Sequence, residues 1–495
     1  MASSDHPLLH LIETGLSGPS RLTAIFPRTK VALTNHELLD LIGKRRCLLK
    51  EKSFPTRVIL HLGKSPEYLS WLLACFAEGA CVCPVDPGHG EAELKRAAAA
   101  FKPDWIVTHH PLPFLDPMPN APVKNETIYR NSPEARSGLP PGTALCMFTS
   151  GTTGRAKGVL LSENNLAYGS ELVPLAHQIA EQDRALAILP LSMINGMVTT
   201  ILAILRSRSS AIYYEGMFTA YQAFQWAIEH QATWINAVPV HYAAFCNPFL
   251  STEERTGHRV RFCRSAGSRL PVQVLQDFEN HYKISIIETM GLTETAGQVF
   301  ANPMELDERK IGSVGRPVGI EAKIVSSAFE ELSDGEEGEI WIRGENVFLG
   351  YLDDPTSTAQ ALHDGWLRTG DRARRSVDGF FTLTGRIKEI VIRGGQNVSL
   401  QEIDDTLCQH PAIALSGSVG LDADLDGETV VSFVQLKLDR KAGEKELLAH
   451  CAERLAAFKL PSQITLLEKL PLRSNGKVDK QELKRMANCF KEKAL

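Results

Sequence analysis

The sequence has 495 residues, of which 43% are hydrophobic and 22% charged, a balance typical of globular proteins rather than of disordered ones. The net charge of −5 argues against a protein dedicated to holding nucleic acid, because phosphate binding needs a basic surface. The most apolar stretch, 71–85, is interrupted by Glu78 and is too short to span a bilayer. It predicts a buried helix followed by a buried strand, and no membrane span.

The cysteines are scattered rather than paired. The chain has ten of them and no C-x-x-C spacing, which predicts reduced thiols in the core and neither disulfides nor a zinc site. The first residues, Met1 to His6, lack the basic and apolar regions of a signal peptide. Together these features predict a cytoplasmic protein.

The N-terminal part alternates strand and helix patterns. Short apolar runs at 58–62, 81–85 and 104–108 are typical of buried strands. After the first run, Ser65 can cap a helix that has Pro66 in its first turn. Strand, helix and strand at this spacing predict a largely parallel sheet with helical crossovers. Nucleotide sites in such sheets lie in the loops beyond the strand ends.

Two further segments bear on the organisation of the chain. The stretch 111–141, rich in proline, serine and asparagine, predicts a surface loop. After about residue 385 the composition changes, and we predict a boundary at Lys388 that separates domains 1–387 and 388–495. The expected fold class is α/β, with a large N-terminal domain of mixed and parallel sheets and a small α+β C-terminal domain.

A segment dense in glycines and hydroxyl groups follows the apolar run 144–147. Glycines let the backbone turn its N–H groups toward a phosphate, hydroxyls add donors, and Lys157 adds a positive charge. Ala156 stands where a Walker P-loop needs glycine, so the segment is not of that type. The candidate phosphate-binding residues are Thr149, Ser150, Gly151, Thr152, Thr153, Gly154 and Lys157.

This segment resembles the phosphate loop of the acyl-adenylate-forming superfamily, which includes acyl-CoA synthetases, luciferases and peptide-synthetase adenylation domains. The family form is T-S-G-T-T-G-x-P-K-G, and the chain departs from it only at Ala156. Further matching segments follow in the family's order, at 264–268, 289–294, 364–371, 385–388, 394–398 and 470–478. The resemblance therefore covers roughly residues 50 to 480 and implies an enzyme that uses ATP and Mg²⁺ to activate a carboxylic acid as an acyl-adenylate.

The resemblance also implies roles for single residues. Lys477 would drive adenylation, Thr293 would contact the α-phosphate, and Glu294 would hold Mg²⁺, a hard cation that prefers oxygen ligands. Asp371 would bind both ribose hydroxyls, and Arg386 would reach the ribose or a phosphate. The other residues implied to contact the nucleotide are Gly267, Glu288, Thr289 and Met290.

The small domain of the family is mobile, and the resemblance places its hinge at Lys388. Rotation there would withdraw Lys477 and present the loop at Gly394 and Gly395 to an acceptor, so that one site runs two half-reactions. Since only 18 residues follow Lys477, we expect a diffusible acceptor, and coenzyme A is our first choice. An amine or a separate carrier protein remains open, as does a non-catalytic ATP-binding homologue.

The acyl pocket is expected to be lined by Ser192, Met193, Asn195, Val238, Ala266, Gly291 and Gln298. Polar groups on Ser192, Asn195 and Gln298 would suit a polar substituent, and Met193 would suit an apolar body. No aspartate lies in this region to pair with an ammonium, which argues against an α-amino acid. The stretch 189–196 is also similar to coronafacate ligases, which join an acid to an amine. The expected substrate is a small or mid-sized organic acid, with aromatic and cyclic acids included.

Overall fold

The computed structural model describes residues 6–51, 56–112, 126–131, 136–149, 156–246, 257–393, 396–423, 427–438, 440–473 and 476–493. Its strands are β1 (Leu22–Phe26), β2 (Val31–Thr34), β3 (Arg57–His61), β4 (Cys81–Pro84), β5 (Trp105–Thr108), β6 (Thr127–Arg130), β7 (Thr143–Thr149), β8 (Lys157–Ser162), β9 (Arg184–Ala187), β10 (Ser210–Tyr213), β11 (Trp234–Ala237), β12 (Phe262–Ser265), β13 (Ser285–Leu292), β14 (Gly297–Ala301), β15 (Arg316–Pro317), β16 (Glu321–Val325), β17 (Glu337–Arg343), β18 (Gly350–Tyr351), β19 (Leu362–His363), β20 (Trp366–Arg375), β21 (Phe381–Arg386), β22 (Ile390–Arg393), β23 (Gln396–Ser399), β24 (Ile413–Ala423), β25 (Gly427–Leu436) and β26 (Gln463–Leu467). Its α-helices span Pro7–Leu16, Asn35–Glu51, Pro66–Ala77, Glu91–Phe101, Glu163–His177, Ile194–Met197, Ala203–Ser207, Ala220–Glu229, Pro239–Phe245, Val272–Tyr282, Pro355–Ala361, Leu400–Cys408, Glu444–Ala452 and Lys480–Lys493.

Two large sheets carry the N-terminal part of the described chain. Their strand orders are β15-β14-β13-β12-β11-β9-β10-β1-β2 and β18-β8-β7-β4-β3-β5-β6. In the second sheet β3 pairs in parallel with both β4 and β5, which confirms the predicted arrangement. The predicted cap is also present, because the Tyr68 N–H donates to Ser65 Oγ at 3.2 Å. The helix that follows, Pro66–Ala77, has every residue from Tyr68 onward buried, as its nearly unbroken apolar sequence requires.

The largest hydrophobic cluster lies between these two sheets. It joins Val58 and Leu60 of β3 to Ala185 of β9 and Phe262 of β12. Strands buried on both faces read as continuous apolar runs, which is why the sequence pattern located them. The parallel strands β9, β11, β12 and β13 are neighbours, so their carboxyl ends meet at one edge. The segments beyond that edge hold part of the predicted site, including Asn195, Gly267 and Glu294, as is usual for such sheets.

One element contradicts the predicted surface loop at 111–141. Residues Thr127–Arg130 form β6, which pairs antiparallel with β5 at the edge of the sheet. The side chains of Ile128 and Tyr129 are buried there. The run is only four residues long and lies among polar residues, so its pairing with β5, rather than its own pattern, decides its structure.

The cysteines follow the prediction in most positions. All ten are free thiols, and Cys75, Cys81, Cys83, Cys146, Cys263 and Cys451 are buried. Cys47 and Cys489, however, are exposed, so the prediction of core positions is wrong for these two. A separate finding is that none of the helices within the described ranges is long and apolar enough to cross a bilayer.

The rest of the chain forms two smaller sheets, ordered β16-β17-β20-β19 and β23-β22-β25-β24, with β21 beside β20 and β26 beside β25. The chain passes from the third sheet to the fourth through a short 3-10 helix, Ile387–Glu389. The fourth sheet and its helices form the small C-terminal part that the fold class predicted. The exact boundary at Lys388 stays a prediction.

Ion pairs connect the small part to its surroundings. Lys480 Nζ lies 3.0 Å from Glu389 Oε2, beside the short helix at which the sheets change. Arg269 pairs with Asp405, and Lys437 Nζ lies 3.4 Å from Asp277 Oδ2. The last two pairs hold the small part against the large N-terminal part.

Candidate active site

Lys477 lies on a tight turn whose strands are bridged at Leu472 and Val478. The Gly476 N–H donates to the Arg473 carbonyl at 2.9 Å, and Gly476 has φ of +76°, a conformation that favours glycine. A Cβ added to Gly476 would approach Val238 Cγ2 at 2.9 Å, so the turn packs closely against the large part. A Cβ on Gly267 would lie 3.9 Å from Lys477 Cε. The lysine is half-buried here rather than exposed at a loop tip.

Asp371 and Arg386 are cross-strand partners on β20 and β21. Arg386 Nε donates to Asp371 Oδ1 at 2.5 Å, and the aspartate side chain is only 7% exposed. The pair raises the pKa of Arg386, and the carboxylates of Glu389 and Glu294 act in the same direction. Two residues predicted for the ribose are therefore in direct contact, within the electrostatic range of the predicted Mg²⁺ ligand.

The same group of charges acts on Lys477. Burial lowers the pKa of its ammonium group to about 8, and the guanidinium of Arg386 lowers it as well. Asp371 and Glu389 oppose this shift. The structure thus brings Lys477, Asp371 and Arg386 together, although they come from separate parts of the sequence.

Thr149 and Lys157 are paired across the hairpin of β7 and β8. The Thr149 hydroxyl lies 3.4 Å from the Lys157 carbonyl oxygen. The two residues therefore stand at the base of the glycine-rich segment. The remaining predicted phosphate contacts, Ser150, Gly151, Thr152, Thr153 and Gly154, lie outside the described residues.

A chain of contacts links Lys157 to Glu294 through Tyr351. Lys157 Nζ donates to Ser357 Oγ at 2.6 Å and lies 4.8 Å from the centroid of the Tyr351 ring. The Tyr351 hydroxyl donates to Glu294 Oε1 at 2.9 Å. Thr293 begins the 3-10 helix that carries Glu294. A cation and a carboxylate from two predicted motifs thereby contact the same tyrosine.

The segment before Thr293 is largely buried. Glu288 accepts a hydrogen bond from the Gly312 N–H at 2.8 Å, and its burial raises the pKa of its carboxyl group to about 7. Thr289 donates to the Ser265 carbonyl at 3.0 Å. Met290 packs in a hydrophobic cluster with Phe300. Contact of these three residues with a nucleotide stays a prediction.

Two residues predicted for the acyl pocket bond to Arg264, for which the sequence predicted no role of its own. Arg264 is 1% exposed and donates through Nε to Gln298 Oε1 and through Nη1 to Asn195 Oδ1, both at 2.8 Å. It also donates to Asn236 Oδ1 at 2.9 Å. His177 Nε2 lies 3.0 Å from the same oxygen of Gln298. Asn195 and Gln298, predicted as neighbours, thus share one buried guanidinium.

The other predicted pocket residues lie on several elements of the large N-terminal part. Val238 and Ala266 are buried at the ends of β11 and β12, and Gly291 lies at a bulge between β13 and β14. Met193 caps the helix Ile194–Met197, and Ser192 Oγ lies 3.4 Å from Asp86 Oδ2. Whether these side chains line the bound acid stays a prediction.

Tyr351 and Arg264 are the residues that sequence reasoning missed. A charged residue that follows apolar Phe262 and Cys263 in a buried strand was a usable signal for Arg264. Tyr351 had no comparable signal, because its role depends on Glu294, 57 residues away. Of the predicted hinge and acceptor loop, Lys388 lies in the short helix Ile387–Glu389, and Gly394 and Gly395 lie outside the described residues.

Comparison with known proteins identifies related enzymes. The chain is 39% identical to a sulfoacetate–CoA ligase of Cupriavidus necator over 355 residues. These residues make up 71% of this chain and 69% of the relative. It is 31% identical to an oxalate–CoA ligase of Arabidopsis thaliana, over 69% of this chain and 67% of the relative. ATP-bound MatB from Rhodopseudomonas palustris shares the fold with a TM-score of 0.85 at 24% identity, over 97% of this chain and 98% of that one.

Two family models match in the order that the motifs predicted. Residues 54–352 match the AMP-binding enzyme model, and residues 402–477 match the AMP-binding enzyme C-terminal domain. The resemblance to acyl-adenylate-forming enzymes is confirmed. The chain belongs to the AMP-binding enzyme family and is an ATP-dependent ligase.

Proposed function

We propose that this protein activates a small organic acid with ATP and transfers the acyl group to coenzyme A. The position of Lys477 carries this proposal. Its Cε lies near Gly267, and its charge is coupled to Arg386 and Asp371, the residues assigned to the nucleotide. Lys477 comes from the small C-terminal part and lies beside these residues of the large part. A lysine in this position is suited to the adenylation half-reaction.

In that half-reaction a carboxylate oxygen of the acid attacks the α-phosphorus of ATP. The bond to the bridging oxygen breaks, and pyrophosphate leaves with the electron pair. Negative charge grows on the α-phosphoryl oxygens, where Lys477 supplies a cation that is already in place. Thr293 can donate its hydroxyl to the same oxygens, and Asp371 accepts from the ribose.

Lys157 and Glu294 fit the departing pyrophosphate and its metal ion. Within the described ranges no group of three His, Cys, Asp or Glu side chains forms a metal site. A single carboxylate suits Mg²⁺, because this ion is usually bound by one or two carboxylates together with phosphate oxygens and water. Glu294 is half-exposed and oriented by Tyr351, so it can fill that role. When bound, the ion neutralises phosphate charge.

For the second half-reaction we place the hinge at Lys388. The change of sheet at Ile387–Glu389 supports this position. The described ion pairs between the small part and the large part include those of Arg269 with Asp405 and of Lys437 with Asp277. Rotation would break these exposed or half-exposed pairs at small cost, since such pairs contribute about 1 kcal/mol or less.

The relatives point to the size of the acid. Sulfoacetate and oxalate, the acids in the two relatives' names, contain only two carbon atoms each. The hydrogen-bonded group of Arg264, Asn195 and Gln298, if it bounds the acyl site as we propose, is consistent with a substrate on this scale. We therefore propose a small acid rather than a long-chain one.

We also place the enzyme in the cytoplasm. Its ten cysteines are all free thiols, and most are buried. A chain in an oxidising compartment more often pairs its cysteines.

Tyr351→Phe tests the assignment of Glu294. The change removes the hydroxyl that bonds Glu294 but keeps the ring beside Lys157. We expect the Mg²⁺ concentration that gives half-maximal adenylation to rise about tenfold, as when a group that orients a metal ligand is lost. Tyr168→Phe, which removes a hydroxyl bonded to the Gly319 carbonyl, is the matched control. An unchanged Mg²⁺ dependence would remove Glu294 from the metal site.

An acceptor panel tests the proposed transfer to coenzyme A. Pyrophosphate release is first measured with a set of small acids to find the best one. Mass spectrometry then looks for acyl-CoA, an amide and an acylated carrier protein in parallel reactions. Acyl-CoA is the expected product. Adenylate formation with no acyl-CoA, together with acylation of an amine or a carrier, would overturn the acceptor and leave the adenylation intact.

A further inference from the structure

Arg264 is a buried cation that lacks a counter-charge in the described part of the chain. It is 1% exposed, and its hydrogen-bond partners Gln298, Asn195 and Asn236 are all neutral amides. No Asp or Glu carboxylate lies within ion-pair distance of it among the residues described. Burial lowers the pKa of its guanidinium to about 10, which still leaves it charged at neutral pH. A buried charge without a partner is costly, so the protein retains it at the expense of stability.

An unpaired polar group lies beside this cation. Asn236 is the cross-strand neighbour of Arg264, and its Nδ2 is buried with no hydrogen-bond partner among the described residues. Asn236 is fully buried, at 0% exposed. A buried amide N–H group that lacks a partner marks a place where an acceptor atom of a ligand would be satisfied.

The position of Arg264 relates this centre to the reacting end of the acid. Arg264 is three residues before Gly267 on the same strand end, and Gly267 faces Lys477. Three residues span at most about 10 Å, so the segment 264–267 is short enough to contact both ends of a small molecule. The carboxylate to be activated would lie near Lys477, with the far end toward Arg264.

We infer that Arg264 binds a second anionic group, carboxylate or sulfonate, on the far end of a small acid substrate. The inference rests on the proposed function and names the class of acid that the enzyme takes. A guanidinium held by three amides keeps its orientation, and a carboxylate or sulfonate can accept hydrogen bonds from it in a defined geometry. The amides orient the cation without neutralising it, which leaves its charge for the substrate.

Pairs of acids that differ only in this charge test the inference. Sulfoacetate is compared with methylsulfonylacetate, and succinate with succinamate, by acid-dependent exchange of pyrophosphate into ATP. This readout needs no acceptor, so it does not depend on coenzyme A. We expect the wild type to prefer the charged member of at least one pair by tenfold to a hundredfold in kcat/KM, the range for a hydrogen bond to a charged group. The two pairs distinguish a sulfonate from a carboxylate.

Variants at Arg264 separate binding from support of the fold. In Arg264→Met the ratio of kcat/KM for the charged acid to kcat/KM for the uncharged acid should be close to one, mainly because the KM for the charged acid rises. Arg264→Lys should keep part of the preference for the charged acid. Arg184→Met is the matched control, since Arg184 also lies in the first sheet and bonds only neutral acceptors in the described structure. A purely structural role would lower both members of a pair equally.

Three results would contradict the inference. The first is a wild type with no preference for either charged acid, a measurement that needs no variant to fold. The second is an equal loss for both members of a pair in Arg264→Lys or Arg264→Met. The third is pyrophosphate exchange that occurs only with the uncharged analogues. That result would support adenylation but would show that the substrate has no second anionic group. Exchange without acyl-CoA formation would instead refute the acceptor and leave Arg264 supported.

Discussion

Replacing Lys477 with alanine is expected to slow acyl-adenylate formation by a hundredfold or more. The cation lies beside Gly267 and shares its electrostatic environment with Asp371 and Arg386, so its loss removes charge stabilisation in the transition state. Losses of a single stabilising donor in other enzymes are about 10²–10³ in kcat. Formation of the thioester from a preformed acyl-adenylate should be nearly unaffected, because the proposed rotation withdraws this lysine. Single-turnover measurements of the two half-reactions provide the test.

Two controls accompany this variant. Lys469→Ala removes an exposed lysine eight residues earlier and should leave both half-reactions unchanged. Lys477→Arg keeps a charge that does not titrate. The pKa of Lys477 is about 8 in the free enzyme, below its usual value, so adenylation measured as kcat/KM for ATP should fall as pH rises through about 8. That fall should be absent in Lys477→Arg. If Lys477→Ala slowed both half-reactions equally, Lys477 would not act in adenylation alone, and the proposed rotation would be refuted.

Replacing Asp371 with alanine is expected to weaken ATP binding by about a hundredfold. Its carboxylate would accept from both ribose hydroxyls, and a hydrogen bond to a charged group contributes about 1.5–3 kcal/mol. Isothermal titration with ATP, 2′-deoxy-ATP and 3′-deoxy-ATP measures the effect. The wild type should bind both deoxy analogues more weakly than ATP. Asp371→Ala should bind ATP and the two analogues with equal affinity, because the acceptor for the ribose hydroxyls is already gone.

The control for this variant lies on the same hairpin. Asp378→Ala removes an exposed carboxylate that pairs with Lys310 and should leave ATP affinity unchanged. Arg386, 45% exposed, can reach water when Asp371 is lost, so thermal unfolding should change little. Wild-type affinity for ATP in Asp371→Ala would move the ribose site elsewhere.

The sequence alone determined the features whose causes are local. The cap at Ser65 and the apolar strands β3, β4 and β5 follow from residues within a few positions of each other. The family was also determined in this way, because loops that bind phosphate and ribose need particular residues at short spacing. Lys477, Asp371 and Arg386 could therefore be named before their distances were known.

Only the tertiary structure decided which distant residues meet. β6 exists because β5 offers an edge, and Tyr351 acts on Glu294 because β18 pairs with β8 beside Lys157. Arg264 gained its importance in the same way, since its partners Asn195, Asn236 and Gln298 come from three other elements. The physical reason is that hydrogen bonds and charge act through space, over a few ångströms. Sequence patterns report the neighbours along the chain, whereas burial and the charge left unpaired are set by neighbours from other elements.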